Sequence, residues 1–129
     1  MDKATRDHVI QRAGNACEYC RLPQSAQLFV TFHIDHVVAS QHREDDSLGN
    51  LCLACQSCNL HKGTNLSTVD PKSDEIVRMF NPRTDTWADH FKFEDYVVVG
   101  LTDIGRATAR LLSMNNPQRV ELRKLRDVT

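Results

Sequence analysis

Two Cys-x-x-Cys pairs, Cys17-Glu18-Tyr19-Cys20 and Cys55-Gln56-Ser57-Cys58, constrain this chain more than any other feature. Zn2+ takes thiolates tetrahedrally at about 2.3 Å, and a Cys-x-x-Cys turn aims two sulfurs at one ion. Two such turns supply four ligands and leave no open position. The spacing therefore predicts a structural zinc site of Cys17, Cys20, Cys55 and Cys58, with a binding free energy on the order of 10 kcal/mol or more. Cys52 forms an overlapping pair with Cys55, but only one pair can complete a four-ligand site. It lies in the apolar run Leu51 to Ala54, where cysteine packs as a small hydrophobe, so it is assigned to the core.

The compartment is expected to be the reducing cytoplasm, where paired thiols serve metals rather than disulfides. The segment Met1 to Asp7 is too polar for a signal peptide, and no apolar run approaches the ~18 residues of a membrane span, so no membrane partner is expected. With 129 residues, 40% of them hydrophobic and 26% charged, the chain has the make-up of one ordinary globular domain. A net charge of -1 gives no general attraction to nucleic acid, whose non-specific affinity comes from Lys and Arg on phosphates. The charge is unevenly spread: Arg106, Arg110, Arg119, Arg123, Lys124 and Arg126 gather near the C-terminus, and Glu44-Asp45-Asp46 reads as a solvated acidic loop.

The element order follows from periodicity and stop signals. Residues 3–13 form a short amphipathic helix stopped by Gly14-Asn15, and Phe29 to Val37 has strand composition. A polar loop runs from Ala39 to Gly49. Leu51 to Ala54 makes a second short strand, and Gln56 to Lys62 a two-turn helix closed by Gly63. Beyond Gly63, residues 75–80 and 96–101 read as strands of a hairpin or edge ribbon. Thr102 caps a helix reaching about Met114, and Asn116-Pro117 starts another ending near Arg126. Trp87 is expected in the core, and His8, His42 and His90 show no partner in sequence.

The run His33-Ile34-Asp35-His36, then Asn50, then Cys55-Gln56-Ser57-Cys58-Asn59-Leu60-His61-Lys62-Gly63, resembles the HNH endonuclease family. The likeness covers roughly residues 13–64. It implies an α+β fold: a ββα-metal core of the HNH, or His-Me finger, type, stapled by the four-cysteine zinc site. A C-terminal extension of short strands and helices would follow. Residues 1–64 would then be the nuclease core and 65–129 an extension packed on it as one compact unit. Carried over by position, His36 is the general base and Asn50 orients the loop and the base. Asp35 and Asn59 hold the catalytic Mg2+ or Mn2+. The chemistry suits these types, because a neutral imidazole can take a proton from water and a hard cation prefers carboxylate and amide oxygens. His33 lies on Asp35's face of the strand, as a further candidate for the metal or for orientation. Lys62 is either a phosphate contact or a solvated lysine at a helix end.

Two departures and one geometric difficulty accompany the likeness. Many family members have proline after the Asp-His pair and Gly-Gly in the next loop, where this chain has Ala39 and His42-Arg43-Glu44. Adjacent residues of a regular strand face opposite ways, so a shared target for Asp35 and His36 predicts irregular backbone there. The expected function is metal-dependent hydrolysis of DNA phosphodiesters. The alternatives are a zinc-stapled nucleic-acid-binding module, and a nuclease subunit active only within a larger defence or recombination assembly.

Overall fold

A computed structural model describes all residues, 1–129. Helix α1 (Lys3–Arg12) starts at Asp2, whose side chain accepts from the Thr5 N–H, and it ends where Gly14 and Asn15 adopt φ values of 64° and 55°. Gly14 supplies the left-handed conformation that the sequence marks as a stop. The first cysteine turn follows directly.

The strand expected over Phe29 to Val37 is shortened at both ends, to β1 (His33–His36). The Gln24 side chain explains the late start. Its amide donates to the carbonyls of Gln27 (3.0 Å) and Val30 (2.6 Å), and its oxygen accepts from the Phe32 N–H at 2.9 Å. These bonds fold residues 24–32 into a loop and leave Leu28 and Phe29 exposed. β1 pairs antiparallel with β2 (Leu51–Ala54), Asp35 opposite Cys52 and His36 opposite Leu51. Every residue of β2 is buried. Helix α2 (Gln56–Lys62) follows, its N-terminus capped by the Cys55 sulfur and its C-terminus closed by Gly63 at φ 53°. β2 and α2 have the bounds read from the sequence.

Two further two-stranded sheets occupy the second half. β3 (Ser67–Val69) pairs with β4 (Ile76–Arg78), and β5 (Phe91–Glu94) pairs with β6 (Val97–Gly100), preceded by the single-turn helix α3 (Trp87–His90). The strands expected at 75–80 and 96–101 are present in shortened form, each in a separate hairpin. α4 (Asp103–Leu111) is capped by Thr102, and α5 (Pro117–Arg126) by Asn116. α4 stops before Met114 because Ser113 turns the chain at φ 49°. β6 and α4 touch at glycines: a Cβ on Gly100 would lie 2.3 Å from the Arg106 backbone nitrogen.

Asp70, in the β3–β4 turn, takes two bonds from Arg106 of α4, at 3.0 and 2.8 Å. The guanidinium holds its carboxyl well below the usual carboxylate range, and so ties this hairpin to α4. One hydrophobic core serves both halves of the chain, with Val9, Tyr19 and Leu53 packed in the same cluster as Phe80, Phe91 and Met114. Trp87 is half-buried at its margin. The arrangement is therefore a mixture of helices and small sheets built around the cysteine turns. No helix is long and apolar enough to cross a membrane.

Candidate functional site

Cys17, Cys20, Cys55 and Cys58 are all buried, and their sulfurs lie within 4.8 Å of one another. Cys20 and Cys55 sulfurs are 3.8 Å apart, and a tetrahedron of 2.3 Å zinc–sulfur bonds sets its sulfurs about 3.8 Å apart. In both turns the second cysteine's N–H points at the first cysteine's sulfur, at 3.5 Å for Cys20 on Cys17 and 3.4 Å for Cys58 on Cys55. The donor set and its spacing fit a closed four-thiolate metal site, the coordination that suits zinc. Cys52 stands outside it, on β2.

Four thiolates around one divalent ion leave a net charge of -2, and the chain answers it with α5. Arg119 is buried, and its Nη2 lies 2.6, 3.0 and 3.1 Å from the sulfurs of Cys20, Cys55 and Cys58. Its Nη1 donates to Ser57 Oγ at 3.0 Å and the Leu112 carbonyl at 3.2 Å. Burial works against the charge, but the thiolates outweigh it and hold the guanidinium above its ordinary range. Burial likewise pushes the Cys20 thiol up, yet bonds from the other three cysteines and the Arg119 charge bring it well below its ordinary value. Arg123, one turn on, is also buried, and donates to the Tyr96 carbonyl and to that of Met114. Two of the basic residues that gather near the C-terminus in sequence are thus interior groups. Their i,i+4 spacing on a helix with few apolar residues was the available signal.

The residues bracketed by the cysteine pairs fall into two groups on opposite faces of β1. Asp35 faces inward and is buried. Its Oδ2 accepts from Tyr19 Oη at 3.2 Å, pairs with Lys62 Nζ at 3.2 Å, and lies 3.8 Å from the Cys52 sulfur. Burial raises the Asp35 carboxyl above its ordinary value, and Lys62 opposes that rise. Burial, aided by Asp35, pushes the Cys52 thiol up to about 12, so it is a neutral S–H donor. Lys62 is itself only 2% exposed and also donates to the His36 carbonyl at 3.0 Å. It is neither at the surface nor solvated; it locks α2 onto β1.

His36 faces the other way. Its Nε2 lies 2.7 Å from Asp46 Oδ1, and both residues border a cleft of about 320 Å³ shared with Met1, Asp2 and Thr5. A carboxylate can only accept, so this contact places a proton on Nε2, and in the neutral imidazole Nδ1 is then the acceptor. Asp46, read from sequence as part of a solvated loop, has this second contact that no local pattern announces. The pleat is regular through His36, and the irregularity begins one residue later. Val37 N–H donates to the Asn50 carbonyl at 2.9 Å, and Val38 N–H to Asn50 Oδ1 at 2.9 Å. Asn50, also buried, returns its amide to the carbonyls of Val38 (3.0 Å) and Asp45 (2.8 Å). It fastens both ends of the loop that carries Asp46.

Asn59 lies on α2 one turn before Lys62 and is half-buried, and His33 is exposed at the start of β1. Strand β1 and helix α2 thus bring Asp35 and Lys62 together, while His33 makes no side-chain hydrogen bond.

Residues 17–65 match the HNH endonuclease family. The Septu protein PtuB of Bacillus thuringiensis is 27% identical over 116 residues, which cover 87% of this chain and 41% of that protein. The chain thus spans less than half the length of this relative. No solved structure matches it significantly. The matched segment contains β1, β2, α2 and all four metal-competent cysteines, so the similarity to the HNH endonuclease family falls on the part of the chain that holds the candidate site.

Proposed function

We propose that the chain is a metal-dependent nuclease that hydrolyses phosphodiester bonds of DNA, on a ββα-metal core made by β1, β2 and α2. The observation that carries this reading is the Lys62 bridge: one buried side chain ties Asp35 and the His36 backbone of β1 to the helix bearing Asn59. Asp35 and Asn59 would hold the divalent cation, Mg2+ or Mn2+, with His33 as a further neighbour. Their carboxylate and amide oxygens are the donors a hard cation prefers. A bound cation would neutralise charge on the phosphate and on the leaving 3′-oxygen.

His36 takes the proton of the attacking water at Nδ1, with Asp46 on Nε2 steadying the imidazolium that forms. Asn50 orients this base by fixing the loop that carries Asp46. In this reading zinc at the cysteine quartet is structural, and residues 65–129 are a scaffold sharing the core of residues 1–64 as one unit. Five free buried thiols suit a reducing cytoplasm.

Supercoiled plasmid tests the reading. Purified protein should nick or linearise it in Mg2+, EDTA should stop the reaction, and His36→Ala should abolish cleavage while keeping zinc content and fold. Unchanged cleavage by His36→Ala removes the base assignment. A second reading, a nuclease subunit that needs a larger assembly to deliver DNA, is favoured by the near-neutral net charge of -1 and the burial of Arg119 and Arg123. It predicts no cleavage by the isolated chain and cleavage once partner proteins are added.

A further inference from the structure

All protein contacts of the Asp35 carboxylate fall on one oxygen. Oδ2 receives Tyr19 Oη and Lys62 Nζ, each at 3.2 Å, and faces the Cys52 sulfur at 3.8 Å. Oδ1 has no protein donor, and the Asp35 side chain keeps 9% of its surface exposed, so this oxygen is the one left free. A carboxylate gripped this way loses its freedom to rotate and offers a single oxygen outward.

One of the three groups originates in the sulfur site. Tyr19 is the third residue of the turn Cys17-Glu18-Tyr19-Cys20, and it is fully buried. Its backbone is fixed from several sides. Glu18 exchanges two hydrogen bonds with Leu53 of β2, one through its N–H and one through its carboxylate, each 2.8 Å. Arg83 pairs with the same carboxylate, and the Trp87 indole N–H donates to the Tyr19 carbonyl at 2.8 Å. The phenol therefore runs from a turn pinned by two sulfurs to the one carboxylate of β1. Cys52 donates to the Tyr19 hydroxyl at 3.6 Å, from the β2 position directly opposite Asp35.

We infer that Tyr19 is a positioning residue for Asp35: the cysteine turn fixes the phenol, the phenol fixes Oδ2, and Oδ1 is thereby presented alone to a divalent cation. This rests on the reading of Asp35 as a cation ligand. A neutral hydroxyl suits the task. It orients the carboxylate without adding the positive charge with which Lys62 repels an incoming cation. The two metal sites are then mechanically joined through one side chain, and the four-cysteine site acts on the chemistry without touching substrate.

The test uses the zinc-loaded full chain and Mn2+ alone as the probe, with free Mn2+ followed by electron paramagnetic resonance. Tyr19→Phe keeps the ring and removes only the hydroxyl. It should retain wild-type zinc content and melting temperature, while its Kd for Mn2+ rises about 10-fold. The Mg2+ concentration giving half-maximal plasmid cleavage should rise by a similar factor, with the rate recovering at saturating Mg2+. A purely structural tyrosine would shift the melt and leave both metal constants alone. That result, or a Mn2+ Kd within twofold of wild type, overturns the inference.

Asp35→Asn separates this failure from failure of the functional reading. If Asp35→Asn binds Mn2+ as wild type does, Asp35 is no ligand and both fall. If it loses Mn2+ while Tyr19→Phe keeps it, only the positioning role falls. Should Tyr19→Phe lose zinc, Cys52→Ala removes the thiol that holds the Tyr19 hydroxyl toward Asp35 and is read the same way. A raised Mn2+ Kd supports the inference and an unchanged one overturns it.

Discussion

Lys62 shows how little a residue's sequence position says about its work. One turn beyond Cys58 at the end of a polar helix, it has the look of a solvated cation or a phosphate contact. Instead its stem is buried and its ammonium sits on Asp35 and the His36 carbonyl. Only the tertiary approach of α2 to β1 determines this, and no window of neighbouring residues encodes it. Removing one partner of a buried ion pair leaves the other uncompensated. Lys62→Met should therefore cost about 3 kcal/mol or more of stability in urea unfolding, and adding Asp35→Leu should restore much of it. A stability loss under about 0.5 kcal/mol would mean that Asp35 is not charged in its buried site. Asp46 was illegible for the same reason, since its partner His36 lies across the loop from it.

At the scale of elements, legibility followed local chemistry. β2, α2 and α5 have the bounds read from sequence because each carries its own signals: a short apolar run, a glycine stop, an Asn-Pro start. β1 was overextended because Leu28, Phe29 and Val30 have strand composition, while a single side chain, Gln24, holds them in a loop. Phe91-Lys92-Phe93-Glu94 carries the period-two alternation of a strand, while β3 has only three residues, two of them hydroxylic, to announce it. The side of α5 that packs inward does not follow its apolar residues. Leu125 is exposed, and the interior face carries Arg119, whose charge answers the thiolates, and Arg123, which donates to the Tyr96 and Met114 carbonyls. Arg119→Met should loosen zinc in competition with a chelating dye and lower stability by about 3 kcal/mol. Arg119→Lys should not rescue it, since one ammonium cannot reach three sulfurs together with Ser57 Oγ and the Leu112 carbonyl. Zinc retention equal to wild type in Arg119→Met would show that α5 does not stabilise the site.

For the whole molecule, the cysteine quartet and the core around it join the two halves of the chain, and the proposed function gives the chemistry to the residues between the cysteine pairs. The quartet was legible because matched Cys-x-x-Cys spacings have few other uses, and the converging sulfurs bear that out. The division of labour between a closed sulfur site and an open oxygen site at Asp35 and Asn59 is the central claim. One sample tests it. Purified protein is passed into buffer without added divalent cation, then divided for metal analysis and for incubation with supercoiled plasmid, with and without Mg2+. The account predicts one zinc per chain, no cleavage in the cation-free portion, and cleavage restored by Mg2+ with the zinc content unchanged. Cleavage that persists without Mg2+ and tracks zinc content would contradict it, because the sulfur-bound ion would then be doing the cutting.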